Sequence, residues 1–240
     1  MHSSRRSSDV PDNELLRALP RDVRQRYADR FERFHLALGE TIYQPGARVD
    51  VHVFPIDAVV SVVTVLQDGT QIEVITVGRE GLTGAQALLD RAPAVALTYC
   101  QVPGDAYRIP SDMLTTLCRE DADVRSLVER YLSANIDVMA QSIACNRLHY
   151  VNERCARWLL MTHDRVGRDE FPLTHQILAT MLGVRRAGVS IAAAALQEAG
   201  FIRYSRGRFT VVDRDGLESA CCECYRAITD AFARRRLPAA

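Results

Sequence analysis

Two stretches of incompatible texture meet at Pro110, and that junction constrains the fold more than any other feature of the 240-residue chain. From His35 to Pro110, Val, Ile, Thr and Tyr recur in short runs punctuated by Gly39, Pro45-Gly46, Asp68-Gly69, Gly78, Gly81, Gly84 and Pro103-Gly104. Short β-rich runs at turn spacing indicate an all-β barrel or sandwich. Val59 to Leu66 and Gln71 to Val77, joined across Asp68-Gly69, read as a hairpin, because glycine supplies the positive φ of a tight turn. From Ser111 to Leu148 the period becomes helical. Val124, Leu127, Val128, Tyr131, Leu132, Val138, Met139 and Ile143 fall on one broad stripe of a helix of about 25 residues, near 37 Å long. Such a helix either lies along the β domain or forms a seam between two copies, and periodicity alone fits both.

A second helical pair carries the chemistry. Leu173 to Glu198 holds two helical segments flanking Gly183, which can take the left-handed conformation of a tight helix-helix turn. Ala179, four residues before the glycine, is small enough for the crossing, and Leu182, Val184 and Val189 fill the space between the helices. Phe201 to Val212 then reads as a short hairpin with an Arg-rich tip, Ser205-Arg206-Gly207-Arg208. A helix-turn-helix followed at once by a basic hairpin is the winged form. Arg185, Arg186 and Ser190 open the second helix, where side chains meet base edges in the major groove, and arginine bonds guanine bidentately. Thr174, His175 and Gln176 open the first, whose N-terminus suits a phosphate, although for His175 a plain surface position is the stronger reading. Arg206 and Arg208 on the wing would hold the backbone and set register. Taken alone, Arg185 and Arg186 would fit a solvated helix start; the wing directly downstream favours DNA.

Charge agrees once its distribution is read. Net charge is zero, yet the chain from Asn146 onward carries 15 Arg against 10 acidic residues, leaving the first 145 residues equally acidic on balance. Only the back half is suited to meet phosphate. No apolar run approaches the roughly 20 residues that span a bilayer, and the polar start from Met1 to Asp12 lacks the apolar stretch of a signal peptide. Seven cysteines, an odd number scattered through strands and helices, do not suggest a disulfide framework, and a cytoplasmic protein is expected. No Ser/His/Asp set, HExxH or phosphate-cradling Gly-Lys-Ser/Thr is present; His163 and Asp164 adjoin with no nucleophile placed by motif, so an enzyme is not expected. A winged helix that contacts protein instead of DNA is the other reading, which the basic wing disfavours.

With β domain, long helix and winged helix in this order, the chain from about Leu15 to Arg226 resembles the Crp/Fnr family of bacterial transcription regulators. Leu38 to Gly46 is similar to the opening strand and turn of the family's β-roll, and Val74 to Gly84 to its middle segment. Cys145-Asn146-Arg147-Leu148 and Arg154 to Leu160 match its hinge and the helix that opens its DNA domain. The resemblance implies an α+β chain: a tail over 1–14, a cyclic-nucleotide-binding-like jelly roll over 15–110, a long dimerisation helix with its lead-in over 111–148, and a winged helix over 149–240. It further implies a homodimer, here through Val128, Tyr131, Leu132, Val138, Met139 and Ile143, on palindromic double-stranded DNA, with RNA polymerase as a partner.

The departures shape the mechanism. Nucleotide-binding members carry Gly-Glu for the ribose and Arg-Ser/Thr for the phosphate, where this chain has Gly84-Ala85 and Ala94-Val95, so cyclic nucleotide is not expected and any effector is an unidentified small molecule. No cysteine precedes Cys100, which disfavours an N-terminal iron–sulfur cluster, and His35 and His52 read as strand-surface residues, not haem ligands. Cys221, Cys222 and Cys224 read as packed thiols of the last helix, pointing in different directions, so no metal and no cofactor are expected. Arg186 keeps the place of a guanine-reading arginine, but Ala187-Gly188 and Ile191-Ala192 replace the usual neighbours, so the operator should differ from the best-known family sites.

Overall fold

The computed structural model describes residues 12–235. Of the tail expected over 1–14, residues 1–11 lie outside the described residues, and its far end is corrected. Asn13 is buried, donates from its amide to the carbonyls of Pro55 at 2.8 Å and Gly81 at 3.0 Å, and caps helix α1 (Glu14–Arg17). Helix α2 (Arg21–Arg26) and a 3-10 turn (Ala28–Arg30) follow. The β domain then comprises β1 (Glu32–Leu36), β2 (Thr41–Tyr43), β3 (Val51–Pro55), β4 (Val59–Val65), β5 (Gln71–Val77), a short helix α3 (Ala87–Asp90), β6 (Leu97–Val102) and β7 (Gly104–Pro110). Two antiparallel sheets result, in the orders β1-β7-β3 and β2-β6-β4-β5. Leu36, Val53, Val60, Val77, Cys100 and Ala106, drawn from both, share one apolar interior. The β4–β5 hairpin forms as the sequence reads, with Gly69 at φ +83° and the Asp68 carboxylate accepting from the Thr70 amide.

His52 corrects another expectation. It is fully buried, its Nδ1 3.0 Å from the Thr83 carbonyl and its Nε2 3.1 Å from Ser111 Oγ, and burial holds its pKa below the ordinary value. Alternation along β3 places His52 on the face that meets the start of the next helix, where two polar partners offset its desolvation. His35 does lie on the surface, against Asp105.

Helix α4 (Ser111–Glu120) ends at Asp121, whose side chain accepts from the amides of Asp123 and Val124 and so starts α5 (Ala122–Leu148), 27 residues long. The N-terminal half of α5 packs through Val124, Leu127, Val128 and Tyr131 against α1, α4 and the β domain. After a break at His149 and Tyr150 come α6 (Val151–Val166), β8 (Glu170–Pro172), α7 (His175–Leu182), α8 (Arg186–Glu198), β9 (Ile202–Ser205), β10 (Arg208–Val211), α9 (Arg214–Ser219) and α10 (Cys224–Arg234). The wing has a third strand not read in the sequence, in the order β8-β10-β9. The two halves share one core, because Val59, Val63 and Val102 of the β domain belong to the same apolar cluster as Trp158, Leu159, Leu178 and Phe209. Among the described residues no single helix is long and apolar enough to cross a membrane.

Candidate nucleic-acid interface

The chain turns by 110° between α7 and α8. Gly183 makes that turn at φ +61°, and a side chain there would also press on Ile72 of the β4–β5 hairpin. Ala179, Leu182 and Val189 are buried at the crossing, which sets the axis of α8. Arg185 occupies the N-cap position of α8 without a side-chain capping bond, Arg186 begins the helix, and both are exposed. At the wing tip, Arg206 (φ +50°) and Gly207 (φ +78°) form a tight turn in which both central residues are left-handed. That turn projects the exposed Arg206 side chain.

The expected DNA residues do not behave alike. Gln176, Arg185, Arg186 and Arg206 are exposed, and Gln176 and Arg185 line a cavity of about 700 Å3 with Gln71 and Ile72 of the β4–β5 hairpin. Thr174 is instead the N-cap of α7, its hydroxyl accepting from the Ile177 amide at 3.2 Å. His175 is wedged inside, its ring stacked on Tyr204 with centroids 4.1 Å apart and its Nδ1 3.0 Å from Ser190 Oγ. Desolvation, assisted by the charge of Arg186, lowers its pKa. Ser190 also donates to the Arg186 carbonyl at 3.1 Å, so its hydroxyl ties α7 to α8. Arg208 is held by Glu170 of β8 at 2.5 Å. Ile191, 73% exposed on α8, is not among the expected DNA residues, although an apolar residue breaking the buried pattern is the available signal. An aliphatic group there suits a thymine methyl.

On α5 the seam residues need correction. Val128, Tyr131 and Val138 are buried within the chain: Tyr131 donates to the Leu82 carbonyl at 3.0 Å, and Val138 joins the core beneath α6. The face left open is Leu132, Ile136, Met139 and Ile143, with Ile136 62% and Ile143 72% exposed. The apolar stripe was too broad for periodicity to separate its two edges.

The same helix closes a cavity of about 400 Å3. Val62, Leu82, Val95 and Ala96 of the β domain line it with Tyr131, Leu132, Ile136 and Met139, and no charged residue is among those lining it. Gly84 and Ala85 contribute backbone and methyl there.

Charged groups concentrate between the β domain and α6. Glu73 accepts from Ser61 Oγ at 2.6 Å and from the Trp158 indole at 2.7 Å, and desolvation raises its pKa. Glu80 pairs with the buried Arg165 at 2.7 Å. Arg154 donates to Asn146 Oδ1 at 3.0 Å and to the Leu182 carbonyl, linking the break after α5 to the helix-turn-helix. The cysteines near the C-terminus also differ from expectation. Cys221 and Cys222 precede α10 and Cys224 begins it, so helical spacing does not separate them, and Cys222 and Cys224 converge with Cys145 and His149.

Residues 33–121 match the cyclic nucleotide-binding domain model and residues 153–220 the Crp-like helix-turn-helix domain model. Among solved structures, FixK2 from Bradyrhizobium japonicum is similar at 15% identity and a TM-score of 0.68, covering 80% of this chain and 98% of that one. A putative Crp/Fnr-family regulator from Eubacterium rectale follows at 17% identity and 0.65, covering 84% and 94%. A CRP-family transcriptional regulator from Thermus thermophilus stands at 23% identity and 0.65, covering 79% and 95%. At these identities the likeness is one of fold. No curated protein matches the chain by sequence.

Proposed function

Because the chain belongs to the Crp/Fnr family of transcription regulators, with its β-roll, long helix and helix-turn-helix, we propose that it binds palindromic DNA as a homodimer. The observation that carries this reading is the exposure of Arg185 and Arg186 at the start of α8 and of Arg206 at the wing tip, on a head with surplus positive charge. Arg186 reads a guanine, Arg206 holds a phosphate, and Gln176 meets the backbone from the start of α7. Thr174, His175 and Ser190 position α7 and α8, and Arg208 steadies the wing through Glu170. The dimer forms along Leu132, Ile136, Met139 and Ile143, whose spacing of four, three and four residues is that of a coiled-coil seam. Bound to its operator in the cytoplasm, the dimer would meet RNA polymerase.

The roll does not take cyclic nucleotide in this reading. A phosphate buried against Val62, Leu82 and Val95 would find no cation, and at Ala85 no carboxylate awaits a ribose. An effector for this cavity is a small apolar molecule. Leu132, Ile136 and Met139 line the cavity and the open seam alike, so an occupant favouring one seam geometry biases the dimer.

Ile143→Asp tests the seam, because Ile143 faces the seam and is not among the residues lining the cavity. Sedimentation should show a dimer for the wild type and a monomer for the variant, with duplex affinity falling at least about tenfold as two half-sites are no longer read together. A wild type that sediments as a monomer both free and on DNA would overturn the dimeric reading.

A further inference from the structure

Three sulfurs and an imidazole meet where the long helix ends. Cys145 lies on the last turns of α5 and His149 is its C-cap, four residues on and therefore on the same face. Cys222 and Cys224 come from the turn into α10. Cys145 Sγ is 3.6 Å from Cys222 Sγ, and Cys224 Sγ is 3.4 Å from His149 Nδ1. All four donor atoms lie within 4.8 Å of one another. The three cysteines are buried and the histidine partly so.

We propose that Cys145, His149, Cys222 and Cys224 form a tetrahedral site for a thiophilic divalent cation, zinc. Bonds of roughly 2.3 Å to sulfur and 2.0–2.1 Å to nitrogen put tetrahedral ligands about 3.6–3.8 Å apart. Two of the observed separations already stand near those edges, and the others need contract by only about 1 Å. Three thiolates and one imidazole are a donor set for zinc and not for magnesium or calcium, which take oxygen.

The surroundings are those of a supported site. His149 presents Nδ1 to Cys224, while its other nitrogen, Nε2, stands 3.3 Å from the Glu223 carboxylate. That is how a ligating histidine is oriented and its basicity raised. The Gln141 amide donates to Cys224 Sγ at 3.0 Å, an outer hydrogen bond that orients that sulfur. A disulfide between Cys145 and Cys222 would account for two of these groups and leave His149, Cys224 and their outer partners unexplained. Cys221, next in sequence, turns away to the Glu218 carbonyl and is outside the set.

The location gives the site a consequence. Its ligands come in two pairs, 77 residues apart for Cys145 and Cys222 and 75 for His149 and Cys224, one at the end of the long helix and one at the start of the last helix of the winged head. A bound cation would rivet α10 to α5 immediately before the break at His149 and Tyr150, fixing where the head sits. The site itself does not rest on the DNA-binding reading.

Its test is metal titration of the full-length protein, purified under reducing conditions and stripped with a chelator. Cobalt should bind at one per chain with thiolate charge-transfer absorption and the intense visible bands of a tetrahedral site, and equimolar zinc should displace it. Zinc should also raise Tm. Cys222→Ser should diminish the thiolate charge-transfer band, His149→Ala should shift the visible bands and weaken cobalt binding, Glu223→Gln should weaken zinc binding about 10- to 100-fold, and Cys221→Ser should change none of these. His149 lies at the edge of the cluster, so its variant carries the test if Cys222→Ser does not fold. Cobalt bands that are absent, or that keep their position, intensity and affinity in His149→Ala, would overturn the proposal. So would a Cys145–Cys222 disulfide that persists in reductant and excludes metal.

Discussion

Within the winged head, the contacts that shape the proposed DNA-facing surface join residues close in the chain, whereas those behind the head join residues far apart. His175 meets Ser190 across 15 positions and Arg208 meets Glu170 across 38. Behind the head, Trp158 reaches Glu73 and Arg165 reaches Glu80, each across 85. The head turns its free charge outward, and the seam between roll and head turns its charge inward, paired. The difference separates two tasks. Short-range contacts set the local shape of a surface, and a long-range seam decides where that surface is carried.

The largest expected effect would break the comparison if the two regions were independent. Phe209→Ala empties a fully buried position of the head and should cost about 3–5 kcal/mol. Because Phe209 shares its core with Val59, Val63 and Val102 of the roll, calorimetry should show one transition moved to lower temperature. A second transition left at the wild-type temperature would mean that the roll folds without the head.

Arg186→Ala sharpens the contrast from the other side. Its side chain touches no partner in the core, so Tm should hold while duplex affinity falls by roughly 1–3 kcal/mol and preference relaxes at one base pair per half-site. Uniform weakening on every sequence would make Arg186 a phosphate contact instead. His175 offers a local readout of the same substitution. The positive charge of Arg186 helps to depress its pKa, so its NMR titration midpoint should move upward in the variant.

The smallest effect belongs to the seam. Burial raises the Glu73 pKa above its unfolded value, so the stability tied to its protonated form is complete below about pH 4.5 and is lost as pH rises through the folded pKa. Glu73→Gln keeps an acceptor for Trp158 and removes the charge. Its stability relative to wild type should therefore improve by up to about 1 kcal/mol as denaturation is followed from pH 4.5 to pH 8. An unchanged difference across that range would show that Glu73 stays solvated in the seam.

What could be read from the sequence follows the same division. The β4–β5 hairpin, the turn at Gly183 and the wing tip at Arg206-Gly207 were legible because local spacing and glycine chemistry specify them. Arg186 was legible as an exposed helix start. The seam was not: nothing near Glu73 indicates an indole 85 residues away, and the breadth of the α5 stripe concealed that Val128, Tyr131 and Val138 face inward while Ile136 faces out. Cys222 and Cys224 misled for a related reason. Their segment reads as one helix, whereas the turn before α10 brings Cys222 to Cys145 and Cys224 opens α10 beside His149. His52 looked like a strand-surface residue because its two partners, Thr83 and Ser111, lie in other elements.

Selection of bound duplexes from a random pool, with purified full-length protein at physiological salt and no added ligand, tests the central claim most directly. The account predicts enrichment of an inverted repeat whose half-sites lie about one helical turn apart, with preference relaxed at one base pair per half-site in Arg186→Ala. A pool that stays random, both without ligand and with the roll's cavity filled by an apolar compound shown to bind there, would contradict it.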